Sequence, residues 1–236
     1  MSIWVAKRFW TTAATVEVQN GFGVSLDGRL VKTPAKAGLH VPTKAMAQAI
    51  AREWDAQEGE IDPTSMPLTR AANAAIDKVG PQHAEVAAYI AEYGGTDLLC
   101  YRAGDPPALV QRQAQAWDPM LEWAQTRYGV HLVRTTGVLP VDQDATALAT
   151  LHAQVVAMDA FELSALHDLV GISGSLVLGL AVTQGALSGQ QAWDLSRVDE
   201  NYQISQWGED EEAAELAAFK RAALLSAEEF WRLRHS

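Results

Sequence analysis

The chain has 236 residues, of which 48% are hydrophobic and 20% charged, and its formal net charge is −11. Such a composition is typical of a globular protein that is large enough to bury a core. The acidic balance argues against a nucleic acid or an anionic membrane as partner, because both bind cationic surfaces.

Three extended segments near the N-terminus predict a β-meander. They read TVEVQ, FGVSL and RLVKTP, and the pairs Asn20–Gly21 and Asp27–Gly28 separate them. Both pairs favour a type I′ turn, because its two central residues need positive φ and these residue types tolerate it. Apolar residues alternate with polar ones along the first two segments, so one face of the sheet is predicted to be buried.

A helix is predicted to begin at Thr43, after the short extended segment LHVPT. Met46, Ile50 and Trp54 recur at i, i+4 and i+8, which places one apolar stripe against the sheet. Glycine and proline residues, which interrupt helices and strands, follow up to position 63 and mark the end of this segment. We therefore predict a small N-terminal α+β domain over residues 1–65.

The rest of the chain, residues 66–236, is predicted to form a larger all-helical C-terminal domain. The fold class is therefore α+β, with a β-meander and a helix preceding the helical part. Pro119 lies inside a long helical pattern. It predicts a boundary or a kink near Asp118, because proline cannot donate the helical hydrogen bond.

The longest apolar stretch, residues 169–182, has 14 residues, fewer than the roughly 20 that cross a bilayer. It predicts a central buried helix. The small residues Gly171, Ser175 and Gly179 share one face of that helix and would let a neighbouring helix approach closely. The N-terminal residues lack the apolar run and the cleavage site of a signal peptide. We expect a cytoplasmic protein with no membrane insertion.

Catalytic and metal-binding patterns each fail on specific residue types. The six histidines include no i, i+4 pair and no HExxH motif, as a helical zinc site would need. The segment DQDATAL at 142–148 lacks the third ligand and the glycine of a calcium loop, so Asp142 or Asp144 is expected to cap the next helix. We predict no metal, no cofactor and no catalytic residue.

The only cysteine, Cys100, lies in the segment TDLLCYR. One cysteine excludes an intrachain disulfide and a multi-thiolate zinc site. Arg102 is two residues away and would point in a different direction, so nothing nearby is placed to activate the thiol. Cys100 is predicted to be a buried structural residue. Asp97 is expected to cap a turn, and Arg102 to pair with a carboxylate.

The same region leaves one enzymatic alternative open. Asp97 and Asp118 could serve as a carboxylate pair if they met in a pocket that shifted the pKa of one of them.

The densest acidic run is the best candidate for a binding surface. Seven acidic residues and no basic residue lie between positions 199 and 215. Four of the seven are consecutive: Glu209, Asp210, Glu211 and Glu212. They suit a helix N-terminus, where the dipole is positive, and they would equally suit a docking surface for a basic segment. Trp207 is the candidate aromatic anchor beside them, because tryptophan is enriched at interfaces.

Eight segments spread over nearly the whole chain match one protein family in order. They are KRFW (7–10), VSLDGRLVKTPA (24–35), VPT with AIAREWDAQ (41–57), MPLTRAANAAID (66–77), TDLLCYRA (96–103), QAWDPMLEWA (115–124), GSLVLGLAV (174–182) and YQISQWGEDEEA (202–213). By these motifs the chain resembles the assembly chaperones of the ATP synthase catalytic head, specifically those that accompany its α subunit.

The resemblance implies a non-enzymatic chaperone that binds the unassembled α subunit of the F1-ATPase. Such a protein shields the surface of α that later packs against β, until β subunits displace it. The resemblance also implies that acidic residues after the Trp-Gly pair, here 209–212, take part in handling the α subunit.

Eukaryotic relatives act in the mitochondrial matrix, whereas this chain is expected to be bacterial, cytoplasmic and monomeric when alone. Two alternatives stay open: an enzyme using the carboxylate pair, and a generic adaptor that binds another protein.

Overall fold

The computed structural model describes residues 7–137 and 139–236. These residues divide into two compact units. The first contains the described residues up to position 83 together with 160–165 and 229–236, and the second contains 84–159 and 166–228. The α+β fold class is confirmed. The domain boundary between residues 65 and 66 stays a prediction.

Strands and two helices build most of the first unit. Its elements are β1 (Ala13–Val18), β2 (Gly21–Leu26), β3 (Arg29–Leu30), β4 (His40–Val41), α1 (Lys44–Asp55) and α2 (Pro67–Ala74). Strand β2 pairs antiparallel with β1 on one side and with β3 and β4 on the other. The wider π-type turn Ala75–Val79 follows α2 directly.

One of the two predicted hairpin turns is confirmed. Asp27 and Gly28 both have positive φ, 48° and 82°, as a type I′ turn requires. In the first hairpin Val18 pairs with Gly21, so the two turn residues are Gln19 and Asn20, one position earlier than predicted. Only Asn20 of these two has a positive φ, which excludes the predicted type I′ turn there.

The core of the first unit forms where α1 packs on the sheet. Thr43 caps α1, because its hydroxyl accepts a hydrogen bond from the Met46 N–H at 3.2 Å. Met46 and Ile50 are fully buried, as the helical spacing predicts. Trp54 is half-buried and packs edge-on against Trp10 with 5.2 Å between ring centroids.

The second unit is mainly helical. Its helices include α3 (His83–Glu92), α4 (Pro107–Tyr128), α5 (Ala145–Val156), α6 (Ala160–Ser173), α7 (Leu176–Thr183), α8 (Gly189–Ser196), α9 (Val198–Trp207) and α10 (Glu211–Arg234). Three of these helices have one end in the first unit. They are α3 at its first residue, α6 over 160–165 and α10 from residue 229 onward. Two short strands, β5 (Tyr101–Arg102) and β6 (Thr135–Thr136), pair in parallel.

The predicted helix boundary near Asp118 is wrong, as is the predicted single helix over residues 169–182, whereas a kink near Asp118 stays a prediction. Helix α4 continues through Pro119 without a boundary. Trp117, Met120 and Ala124 are buried along it, and this packing outweighs the one hydrogen bond that proline removes. The apolar stretch is two helices rather than one: Gly174 takes a left-handed φ of 72°, and Ser175 caps α7 by accepting a hydrogen bond from the Leu178 N–H.

Close packing at Gly179 is confirmed. A Cβ atom added there would lie 2.6 Å from Cγ2 of Val170 and 3.2 Å from Cδ1 of Leu166, so α7 and α6 approach closely at this glycine. Gly171 has open space around its Cα and contributes nothing to this contact.

Replacing Gly179 by alanine is therefore expected to lower the free energy of unfolding by about 1–3 kcal/mol, because the added methyl group overpacks a buried contact. The matched control is Gly171→Ala, which is expected to raise stability by roughly 0.5–1 kcal/mol through helix propensity alone. Urea unfolding followed by circular dichroism measures both. Equal effects of the two substitutions would contradict this packing.

Candidate functional site

An open groove lies between helices α9 and α10 in the second unit. Helix α9 ends at Trp207, and Gly208 turns the chain with a left-handed φ of 89°, which glycine adopts without strain. The groove has a volume of about 460 Å³. Ile204 and Trp207 line it from α9, and Ala213 and Ala217 line it from α10.

Large apolar side chains are exposed along this groove. Trp207 is 79% exposed, and Leu216, which also lines the groove, is 54% exposed. Phe219 does not line the groove, but it is 64% exposed and lies three residues after Leu216 on α10. Exposed apolar patches of this kind are typical of protein interaction sites, because they are costly to leave in water.

Only one of the four consecutive acidic residues has a structural role. Asp210 caps α10, because its Oδ1 accepts a hydrogen bond from the Ala213 N–H at 2.8 Å. Glu209, Glu211 and Glu212 are exposed. Over residues 7–137 and 139–236 none of these three forms an ion pair. The capping interpretation therefore accounts for Asp210, and three carboxylates remain directed to solvent beside the groove.

Three side chains of α4 hold the start of α9 and the end of α8 that precedes it. The Gln113 side chain is buried and donates a hydrogen bond to Oδ1 of Asp199 at 2.7 Å. The Trp117 indole N–H donates to the carbonyl of Leu195, in the last turn of α8, at 2.8 Å. The Arg112 guanidinium stacks 5.1 Å from the ring centroid of Tyr202. These contacts fix the N-terminal half of α9, so its C-terminal end presents Trp207 on a rigid support.

The first three turns of α10 have little to pack against. From Glu211 to Ala222 every residue is exposed except Ala214 and Ala217, which are half-buried. Burial begins at Leu224. The exposed segment, EEAAELAAFKRA, consists almost entirely of the residues with the highest helix propensity. It can therefore remain helical without tertiary contacts, as a continuation of the packed half of α10.

The segment TDLLCYR forms a buried junction within the second unit. Asp97 is fully buried, and its carboxylate accepts hydrogen bonds from the Leu99 N–H and the Val177 N–H, each at 3.0 Å. Burial raises the pKa of Asp97 from its ordinary value of 3.8 to about 6, although the hydrogen bonds from Val177, Ser175 and Leu99 oppose that rise. The prediction that Asp97 caps a turn is confirmed.

Cys100 is buried, as predicted, and carries no activated thiol. Burial raises the pKa of Cys100 to about 12, so the thiol is protonated at neutral pH. Arg102 pairs with Asp118 rather than activating the cysteine, with 2.8 Å between Nη2 and Oδ1. Arg134 pairs with the same oxygen of Asp118 at 2.9 Å.

The carboxylate-pair alternative gains no support from this geometry. Asp97 is inaccessible and has both oxygens engaged by backbone N–H groups, and Asp118 is neutralised by two arginines. Within the described residues, no group of three or more His, Cys, Asp or Glu side chains is placed to hold a metal ion. Over the same residues, no helix combines the length and apolar character required to cross a membrane.

Sequence reasoning identified Trp207 and the acidic run but missed other parts of the groove, Ile204, Leu216 and Lys220 among them. Ile204 precedes Trp207 by three residues, and that helical spacing is a signal that places both on one face. Leu216 and Lys220 carry no such signal, because the surrounding alanines are compatible with either a buried or an exposed helix.

Comparisons with known proteins agree on one family. The family model described as "ATP12 chaperone protein" matches residues 7–125. The chain is 50% identical to Atp12 from Paracoccus denitrificans, whose crystal structure superposes with a TM-score of 0.94 over 97% of this chain and 98% of that one. A protein from Agrobacterium tumefaciens is 39% identical, with a TM-score of 0.90 over 95% and 86% of the two chains. The mitochondrial protein atp12 of Schizosaccharomyces pombe is 25% identical over 89% of this chain and 76% of its own length.

Replacing Asp97 by asparagine is expected to lower the free energy of unfolding by about 1–3 kcal/mol, because the amide NH2 group cannot accept a hydrogen bond, whereas both oxygens of the carboxyl group can do so whether or not it is protonated. The loss depends on pH. Since the pKa of Asp97 is higher in the folded protein, about 6, than in the unfolded chain, the stability that Asp97 contributes is greatest at low pH and is lost as pH rises through about 6. Asparagine does not titrate, so the difference between the two proteins should shrink by about 1–2 kcal/mol between about pH 5 and 7.5.

Urea unfolding at these two pH values measures the effect. Asp144→Asn is the matched control, because Asp144 is an exposed helix cap and asparagine caps nearly as well as aspartate. A loss at Asp97 that is as small as the control, or that grows as pH rises, would contradict the buried-carboxylate account.

Proposed function

The chain belongs to the ATP12 family of F1 assembly chaperones, and from this premise we propose that it binds the unassembled α subunit of the ATP synthase catalytic head through the groove between α9 and α10. The observation that carries the proposal is Trp207, which is 79% exposed at the end of an anchored helix. A tryptophan exposed to this degree is costly in a free protein and is a common centre of binding energy in a complex.

Charge around the groove supports a protein ligand with basic groups. Glu209, Glu211 and Glu212 are exposed next to Trp207, in a chain whose net charge is −11. Unpaired carboxylates of this kind accelerate association with a basic surface and disfavour acidic partners. A polar rim around an apolar centre is the usual arrangement of a protein interface.

The proposed chaperone acts by mass action and has no catalytic activity. Before assembly, an α subunit exposes the surface that later packs against β, and exposed surface of this kind aggregates. A protein that covers that surface stabilises the soluble form in proportion to its concentration and affinity. A Kd near micromolar is expected, because β subunits must be able to displace the chaperone.

The identity with Paracoccus and Agrobacterium proteins supports a bacterial origin. We place the function in the bacterial cytoplasm and expect the protein to act as a monomer.

Trp207→Ala is expected to weaken binding of the α subunit by at least about 30-fold, the effect of losing a central aromatic anchor. Its free energy of unfolding should change by less than about 0.5 kcal/mol, because the side chain is mostly in water. The readouts are the soluble fraction of co-expressed α subunit and co-elution in size exclusion. Phe9→Ala is the matched control, because Phe9 is 71% exposed and lies in the first unit.

The possible outcomes distinguish an error in the proposed binding site from an error in the proposed function. If wild type and Trp207→Ala bind the α subunit equally well, the docking surface lies elsewhere on the protein. The proposed chaperone role would be unaffected by that result. If the wild-type protein neither solubilises nor binds the cognate α subunit, the function itself is wrong, and an adaptor for another partner becomes the better proposal.

Changing Glu209, Glu211 and Glu212 together to glutamine is expected to weaken α-subunit binding by about tenfold at low salt, because three unpaired rim charges are lost. Asp210 is kept, since it caps α10. The gap from wild type should close as salt rises, because salt screens exposed charges.

The control for this variant removes the same charge from other exposed positions, with Glu58, Glu85 and Glu92 changed to glutamine. Titration of labelled α subunit at two salt concentrations measures both triple variants. If both weaken binding equally, total charge rather than the acidic rim is responsible.

A further inference from the structure

The groove between α9 and α10 has opposite charges at its two ends. Glu209 and Asp210 lie at the end where Gly208 joins the helices, and Lys220 lines the groove farther along α10. Lys220 is ten positions after Asp210 along α10, which corresponds to about 15 Å at 1.5 Å per residue. Arg197 also lines that far end, but its charge is compensated by Glu200 at 3.0 Å.

Lys220 is therefore the cation available to a ligand at the far end. It is exposed, and over residues 7–137 and 139–236 it forms no ion pair. At the near end Glu209 is likewise exposed, and within the part of the chain that the structure describes it forms no ion pair. The groove thus offers unpaired negative charge at one end and an unpaired ammonium group at the other, with an apolar surface between them.

The two sides of the groove differ in the size of the side chains that line them. Its α10 side is lined by Ala213, Ala214 and Ala217, whose methyl groups leave room for the backbone of an inserted element to approach. Its α9 side presents the bulky Ile204 and Trp207, which can fill the spaces between the side chains of such an element. Two helices with a groove between them are a recurrent receptor for the apolar face of a third helix.

We propose that the groove binds one amphipathic helix of the partner in a fixed direction, with a basic residue beside Glu209 and an acidic residue two to three turns away beside Lys220. This inference rests on the proposed function, and it adds the chemical class and orientation of the bound segment. In the opposite direction the same helix would place like charges together at both ends, which disfavours that complex. The apolar face supplies affinity, and the two charges select the direction.

The α10 side of this receptor is already helical before the partner arrives. Residues 211–222 are helical although nearly all are exposed, and their composition favours the helix. Little conformational entropy is then lost on binding at this side of the groove, so the charge pattern is presented at a defined spacing.

Charge exchange within the groove tests the proposal. The variants are Glu209→Lys, Lys220→Glu, and the double variant, which has the same net charge as the wild type because one charge of each sign is exchanged. Each single reversal is expected to weaken α-subunit binding about tenfold, since an attraction becomes a repulsion. The double variant should bind at least as weakly as either single variant, because its charges match only a reversed partner helix, and reversal turns the rest of the folded partner away from its other contacts.

The measurement is titration of purified α subunit with the full-length chaperone at low salt. Double-variant binding equal to wild type would overturn the inference, because only net charge would then matter, and so would single variants that bind like wild type. In both cases wild-type binding would still support the proposed function, whereas failure of the wild type to bind α would reject that function.

A second pair of variants guards against loss of structure in α10. Glu209→Gln and Lys220→Gln remove each charge without placing a cation at the positive end of the helix dipole. Each is expected to weaken binding about threefold while helix content by circular dichroism is unchanged. Unchanged binding in both neutral variants would overturn the inference even if the reversal variants misfolded.

Discussion

The carboxylate of Asp97 joins two parts of the helical unit that are 80 residues apart, by accepting hydrogen bonds from the N–H groups of Leu99 and Val177. A carboxylate is costly to bury, and burial raises the pKa of Asp97 to about 6. The cost is tolerated because the donors are otherwise orphaned groups at the starts of a helical turn and of α7. One side chain thereby fixes how the segment after α3 meets the most deeply buried helix of the unit, and removing it would leave several backbone donors unsatisfied at once.

That junction sets the position of the groove through a short series of contacts. Arg102, five residues after Asp97, donates to the Leu99 carbonyl and pairs with Asp118 on α4. The next residue, Ala103, donates its N–H to Gln113, and the amide of Gln113 donates in turn to Asp199 at the start of α9. Rigid support of this kind reduces the entropy lost when Trp207 binds a partner. The TDLLCYR motif is therefore structural, and its contribution to function is indirect.

Patterns that depend on local physics were predictable, and those that depend on tertiary packing were not. The caps at Thr43 and Asp144 follow from hydrogen bonding within four residues. The predicted helix boundary at Pro119 is wrong because burial of Trp117 and Met120 outweighs a local rule. The prediction of a single helix over residues 169–182 is wrong because apolar periodicity does not reveal the left-handed Gly174 that divides the stretch. Trp207 and the carboxylates were found from composition, whereas Lys220 becomes relevant only once α9 and α10 are placed side by side.

A chaperone that must be displaced needs a site that is selective without being very tight. Large apolar interfaces give affinity but discriminate poorly, whereas charges at the edge mainly set association rate and orientation. The groove between α9 and α10 combines a small apolar centre around Trp207 with unpaired charges at its two ends. Because the exposed half of α10 keeps its helix by propensity rather than by packing, it can lose a partner without exposing a core of its own. Release by a competing subunit then costs only the contacts of the groove, and no input of chemical energy is required.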